Sequence, residues 1–492
     1  MIFKVAITVV LILSFYLVLL IELISGLLEK IQFVSRWFLS QSILSPYSGN
    51  GDVPSGEPSK GEVSSSQSLA NRPSIPNSDT SAIALLAKEI CEVCSQLSSY
   101  PIAAIERKPG FSAVYTDVPK TPEYESLRAR LNDTTLDLLC LVNGPKSTLR
   151  TFAFSHYDLA ALQIAVERGF FNHVPLQGSV NAAKVAERAG MDEDRTTRLL
   201  SFLATRRIFE EVGSGSSVFK HTAMSALMAT DRDFHAMVHM QMDEMFKAAS
   251  EASNLLERSP YVSDTENSAF CTRFGIPAYV YYEQNPQKGA RFAQSMDAWS
   301  RLDGQVTKLV HSSFPWASLN NGKVVDIGGG SGHISIALAK VYPSLRFIVQ
   351  DASERMLSRA DEEVVRSLGG RVTFQRHNFF EPQPVHDANA FLLRQCLHNY
   401  SDNDCIKIAG ALVPALEKCD PGTPLLLNEI ILPENGSTTR HVEHHLRQVD
   451  MTMMIVLGAK QRSRREFEQL LKKADPRFEV RICYLSYVPL LE

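Results

Sequence analysis

Two residues in this chain could carry acid–base chemistry as a pair, His398 and Glu429. His398 falls just past an apolar run at 388–393 that reads as a strand. Glu429 follows a second such run at 425–427. Ligands bind beyond the carboxyl ends of strands in open parallel sheets, so both side chains are expected at one sheet edge. A neutral imidazole can take a proton from a phenolic hydroxyl near pH 7, and a carboxylate can orient it. A lone histidine is more often structural, but a place just after a strand end favours catalysis.

A ligand for that edge is written in residues 323–351, KVVDIGGGSGHISIALAKVYPSLRFIVQD. Asp326, Gly328, Gly329, Gly330 and Gly332 spell D-x-G-G-G-x-G between an expected strand and an expected helix. Glycines let the backbone approach a ligand closely, and a helix start presents free N–H groups. Asp351 closes the next strand, where an acid can accept both hydroxyls of a ribose. The dinucleotide pattern G-x-G-x-x-G is incomplete, because His333 or Ser335 stands in the third glycine slot. That disfavours a nicotinamide-dependent oxidoreductase. A cofactor with a ribose and a charged amino-acid tail, but no phosphate, suits the loop better. S-adenosylmethionine is such a molecule.

Taken together, VVDIGGGSG, Asp351, LHNYSDNDC and LLLNEIILP resemble the plant caffeate-type and fungal S-adenosylmethionine-dependent O-methyltransferases, from about residue 81 to the C-terminus. The resemblance implies an α/β Rossmann-like methyltransferase domain with a mostly parallel sheet. A mainly helical winged-helix dimerisation domain would precede it, and the chain would be a homodimer. His398 would be the general base and Glu429 its orienting acid. On the cofactor side the expected residues are Ser300, Asp326, Gly328, Gly329, Gly330, Gly332, Asp351, Asn378, Phe379 and Arg394. Met296 and Met453 fall where the family packs methionines on an aromatic substrate. The expected reaction is direct methyl transfer to a phenolic or polyketide-like small molecule of secondary metabolism, with no metal.

Two positions depart from the family pattern. Asn378 stands where an acid usually precedes the hydrophobic residue beside adenine. Gln461, in Lys460-Gln461-Arg462-Ser463, replaces the second acid of the catalytic pair. An uncharged amide cannot stabilise an imidazolium by charge, so His398 would rely on Glu429.

The rest of the chain sets the frame. Its 492 residues, 45% hydrophobic with a net charge of −4, allow an anchor, a tether and two globular parts. Residues 5–21 form an uncharged apolar run that a few further apolar residues extend, long enough for a transmembrane helix. An anchor over 1–30 is expected, in a membrane such as the endoplasmic reticulum, with a cytosolic catalytic domain. A cleaved signal peptide is the competing explanation. Residues 46–81, rich in Ser, Pro, Gly and Asn, read as a disordered linker. The expected divisions are then 82–230 for the dimerisation domain, 231–310 for connecting helices and pocket roof, and 311–492 for the catalytic domain.

Within 82–230, three short amphipathic helices at 157–168, 182–189 and 192–206 precede a hairpin at 208–212 and 218–221, a winged-helix outline. Nucleic-acid binding needs a net basic face, and here Asp192, Glu193 and Asp194 offset Arg195 and Arg198. No nucleic-acid partner is therefore expected. A winged-helix regulatory protein with a vestigial methyltransferase fold is the alternative. The scattered cysteines, including the helical pair Cys91 and Cys94, suit a reducing compartment. His441, His444 and His445 read as a solvated helix face rather than a metal site.

Overall fold

A computed structural model describes residues 79–100, 110–114, 118–302, 310 and 314–480. Helix α1 (Asp79–Ser99) packs on the long helical element α2 (Pro122–Glu167). Thr121 caps α2 by accepting the Tyr124 N–H, and Pro122 enters its first turn, where a missing N–H costs nothing. Gly144, at φ 68°, and Pro145 break its course. The helix expected over 157–168 is the end of this 46-residue element, not a separate short helix. No glycine or proline lies between Pro145 and Tyr157 to stop it.

Helices α3 (Ala182–Ala189) and α4 (Glu193–Thr205) follow, capped by the side chains of Asn181 and Asp192. Strands β1 (Phe209–Glu211) and β2 (Val218–His221) pair antiparallel, and β2 pairs also with Val180–Asn181. Phe170, Phe171, Leu200, Phe209 and Phe219 form the buried centre of this part. Each lies on the inward face of its element, which is why these short segments hold together.

Helix α5 (Arg232–Met240) runs into a π-turn, Gln241–Met245, and packs on α7 (Pro286–Leu302), which follows α6 (Ala278–Gln284). A π-turn widens the helix by one residue. Here it buries the adjacent acids Asp243 and Glu244. Arg291 of α7 meets them at 2.6 and 2.5 Å, and Lys288 and Lys247 complete the cluster.

The second part alternates strands and helices. In order come β3 (Lys323–Ile327), α8 (His333–Val341), β4 (Arg346–Asp351), β5 (Val372–Arg376), β6 (Ala390–Arg394), α9 (Asp402–Leu416), β7 (Leu425–Asn428), α10 (Arg440–Leu457) and α11 (Arg464–Ala474). The strands form one parallel sheet in the order β5-β4-β3-β6-β7. Both faces are covered, so β3 and β6 read as nearly unbroken apolar runs. The order reverses at β3, where ligands bind in such sheets. Strand β6 ends on Arg394 rather than at 393.

Asp133 of α2 joins the two parts by capping α10. Its carboxylate accepts the N–H groups of Arg440 (2.8 Å) and His441 (2.7 Å). Among the described residues no helix is long and apolar enough to cross a membrane. Residues 5–21 lie outside them, as do residues 46–78 of the expected linker, whose last three residues belong to α1.

Candidate functional site

The glycine loop leaves β3 with Gly328, Gly330 and Gly332 all at positive φ. A side chain at Gly328 would put its Cβ 2.8 Å from Cys396 Sγ and 3.4 Å from the Phe379 ring. Glycine is required there on both counts. The Gly330 N–H donates to Asp351 Oδ2 (3.2 Å), and the Ser353 N–H donates to Oδ1 (2.8 Å). Asp351 thus stands at the carboxyl end of β4, against the loop and only half-buried.

Asp326 sits lower. It is buried, accepts from Ser335 Oγ (2.6 Å), and lies where a Gly329 Cβ would strike its carboxyl at 2.6 Å. Burial pushes this carboxyl up to about 6, with Ser335 and the nearby charge of Arg394 opposing the rise. It supports the loop from beneath. Arg394 is half-buried at the end of β6.

Phe379 packs edge-on against Tyr400, with ring centroids 5.5 Å apart. Asn378 is exposed, and its carbonyl oxygen already accepts the Phe380 N–H (3.2 Å). One lone pair of that oxygen remains for a ligand. The side chain of Ser300 lies outside the described ones. Met296 is exposed on α7, and Met453 of α10 is partly buried against the cluster that holds Phe270, Tyr282 and Val456.

His398 lies in a single 3-10 turn, Leu397–Asn399, just beyond β6. Its Nδ1 is 3.2 Å from Glu429 Oε2, and the Glu429 side chain is fully buried. The other oxygen, Oε1, accepts the N–H groups of Cys396 (2.9 Å) and Leu397 (2.8 Å). One carboxylate therefore shapes the turn through Oε1 and sets Oε2 against the ring at ion-pair distance. Gln395, at φ 49°, makes the sharp exit from β6 and donates its N–H to the Asn428 carbonyl (2.9 Å).

The structure adds residues that sequence reasoning passed over. Arg462 is completely buried and donates to the carbonyls of Leu397 and Tyr400, both at 2.9 Å, closing the turn from its other side. Its place in the Lys460–Ser463 stretch was the available signal. Tyr279 of α6 keeps 48% of its surface open, yet burial raises its hydroxyl above the ordinary value. Tyr400, Cys396 and Asp351 also raise it, which puts the hydroxyl within electrostatic reach of the loop residues. The aromatic composition of 274–299 pointed to such a roof without naming the residue.

The residues present fit S-adenosylmethionine. The bare Gly328, the Phe379 ring and the half-open Asp351 carboxylate offer a backbone approach, an apolar wall and a hydroxyl acceptor side by side.

The family model described as O-methyltransferase domain matches residues 257–476, and the O-methyltransferase dimerisation domain matches 151–231. The O-methyltransferase sol2 of Alternaria solani is 46% identical over 406 residues, 82% of this chain and 93% of that protein. The grayanic acid biosynthesis cluster O-methyltransferase of Cladonia grayi is 30% identical over 365 residues, 74% of this chain and 76% of that protein. Among solved structures, OxaC in complex with SAH and oxaline shares the fold at a TM-score of 0.64 and 19% identity. That match covers 81% of this chain and 94% of OxaC.

Proposed function

Because the chain belongs to the S-adenosylmethionine-dependent O-methyltransferase family of secondary metabolism, we propose that it methylates a hydroxyl of an aromatic, phenolic or polyketide-like small molecule with His398 as general base. The observation that carries the proposal is the 3.2 Å approach of Glu429 Oε2 to His398 Nδ1 beyond the strand end. The carboxylate facing Nδ1 favours the tautomer with its proton on Nδ1, which leaves Nε2 as the base nitrogen.

The cofactor, when bound, supplies an activated methyl group on a sulfonium. The protein's residues do the remaining work. Asp351 accepts ribose hydroxyls, and Phe379 and Tyr279 wall the adenosine end. His398 Nε2 receives the hydroxyl proton, and Glu429 keeps the imidazolium oriented and charge-balanced. Fixed placement of the acceptor oxygen contributes most of the acceleration. Met296 and Met453 are the proposed substrate contacts, flat and adaptable surfaces for a ring.

The test is transfer of a labelled methyl group to a panel of aromatic alcohols, thiols and amines. Methyl ethers as the main products support the proposal. Transfer to nitrogen or sulfur in preference to oxygen would overturn it.

The dimerisation domain supports a homodimer, and Val142, Leu149 and Phe152, exposed on α2, offer apolar surface for it. We further propose that residues 5–21 anchor the chain in a membrane with the catalytic part in the cytosol, on the strength of that uncharged run. Release of the full chain from membranes by alkaline carbonate would sink the anchor.

A further inference from the structure

From Gln461 we infer that this site backs its base with one carboxylate and no second charge, which matches it to an acidic hydroxyl, a phenol with electron-withdrawing substituents or a vinylogous acid. The inference rests on His398 acting as the base.

Gln461 is buried at 1% exposure, and its Nε2 lies 3.3 Å from His398 Nδ1. Its Oε1 is buried with no hydrogen-bond partner. As placed, the amide turns Nε2 toward Nδ1; turned over, it presents Oε1 to a proton on Nδ1. In either orientation the amide brings no charge. A glutamate at this position would stabilise the imidazolium by charge at close range, and Gln461 does not.

The surrounding charges do not replace it. Glu429 is the carboxylate on the ring. Asp450 of α10 accepts the Gln461 N–H at 2.8 Å. Arg462 and Lys460 approach from one side, and both are paired with Asp402 of α9. Arg394 lies at the end of β6, and Asp404 is paired with Lys407. Burial raises the Cys396 thiol and holds the Cys405 thiol and Tyr400 hydroxyl near about 12, so they stay neutral.

An imidazolium stabilised by one carboxylate alone forms most readily when the proton comes from an acidic partner. Gln461 is thus a positioning residue that sets which hydroxyls react, without touching them.

The test is Gln461→Glu in the full chain bound to S-adenosylhomocysteine. The His398 ring is titrated by NMR, with its signal assigned from His398→Gln. The expected result is a rise of about one unit in the His398 midpoint. At a pH above both midpoints, methylation of phenol should rise by roughly threefold, as a one-unit stronger base gives when proton transfer is half complete. 4-Nitrophenol, which already ionises near neutrality, should gain less. An unmoved midpoint overturns the inference. If the variant fails to fold, the wild type alone decides. Its rate should climb from phenol through 4-chlorophenol and 4-cyanophenol to 4-nitrophenol. Transfer no faster to 4-nitrophenol than to phenol, zero rates included, overturns it. Full turnover in His398→Gln would instead remove the base on which the inference stands.

Discussion

Glu429 faces His398 Nδ1 at ion-pair distance with one carboxylate oxygen and accepts the backbone N–H groups of His398's own turn with the other. The ring and the loop that carries it are therefore held by a single buried group. Glu429→Gln keeps an oxygen for the backbone but removes the charge. Turnover should fall by roughly 10–100-fold while S-adenosylhomocysteine still binds. Glu429→Ala should also destabilise the fold, since each backbone bond to a charged group contributes about 1.5–3 kcal/mol. Denaturant unfolding of both variants checks this; equal stability of the alanine and glutamine forms would contradict it.

The glycine loop predicts a binding defect without a catalytic cause. Gly328→Ala forces a Cβ toward Cys396 Sγ at 2.8 Å in a backbone with φ 70°. The strain amounts to about 1–3 kcal/mol. Calorimetry should show S-adenosylhomocysteine affinity reduced at least tenfold. Unchanged affinity would mean that the cofactor lies elsewhere.

Asp326 gives the protein a pH dependence of definite sign. Its folded carboxyl is raised from 3.8 to about 6 by burial, so the folded state holds the proton more tightly than the unfolded chain. The resulting stability is fully present below the unfolded value and is lost as pH rises through about 6. The loss is on the order of 3 kcal/mol. Asp326→Asn retains an acceptor for Ser335 and should flatten the stability profile between about pH 4 and 6. Parallel denaturation curves at these pH values measure it, and an unaltered slope would show that Asp326 does not titrate there.

The π-turn cluster is a structural prediction. Glu244 is fully buried, and Arg291 is its nearest cation at 2.5 Å. Arg291→Ala should cost about 3 kcal/mol, because a buried acid loses its main partner. A loss below about 1 kcal/mol would show that Lys288 suffices.

Local spacing made much of this legible in the sequence. A strand, five close residues of fixed type and a helix leave little choice of geometry, so the turn at Gly328 and the placement of Asp351 could be read directly. His398 and Glu429 were legible because each follows an apolar run, and sheet topology brings such ends together. What escaped depends on partners far apart in sequence. Arg462 closes the His398 turn across more than sixty positions, and Arg291 reaches Asp243 across 48. Asp326 reads as a ligand-facing acid from its motif, yet β3 turns it beneath the loop. The continuity of α2 was hidden because an amphipathic segment at 157–168 looks the same whether it starts a helix or ends one.

The most direct test of the central claim is His398→Gln in the full chain, followed by single-turnover transfer of a labelled methyl group to an aromatic alcohol. S-adenosylhomocysteine affinity is measured on the same samples. Unchanged affinity is expected, with a transfer rate lowered by roughly 10²–10⁴-fold. Transfer at the wild-type rate would remove His398 from the mechanism.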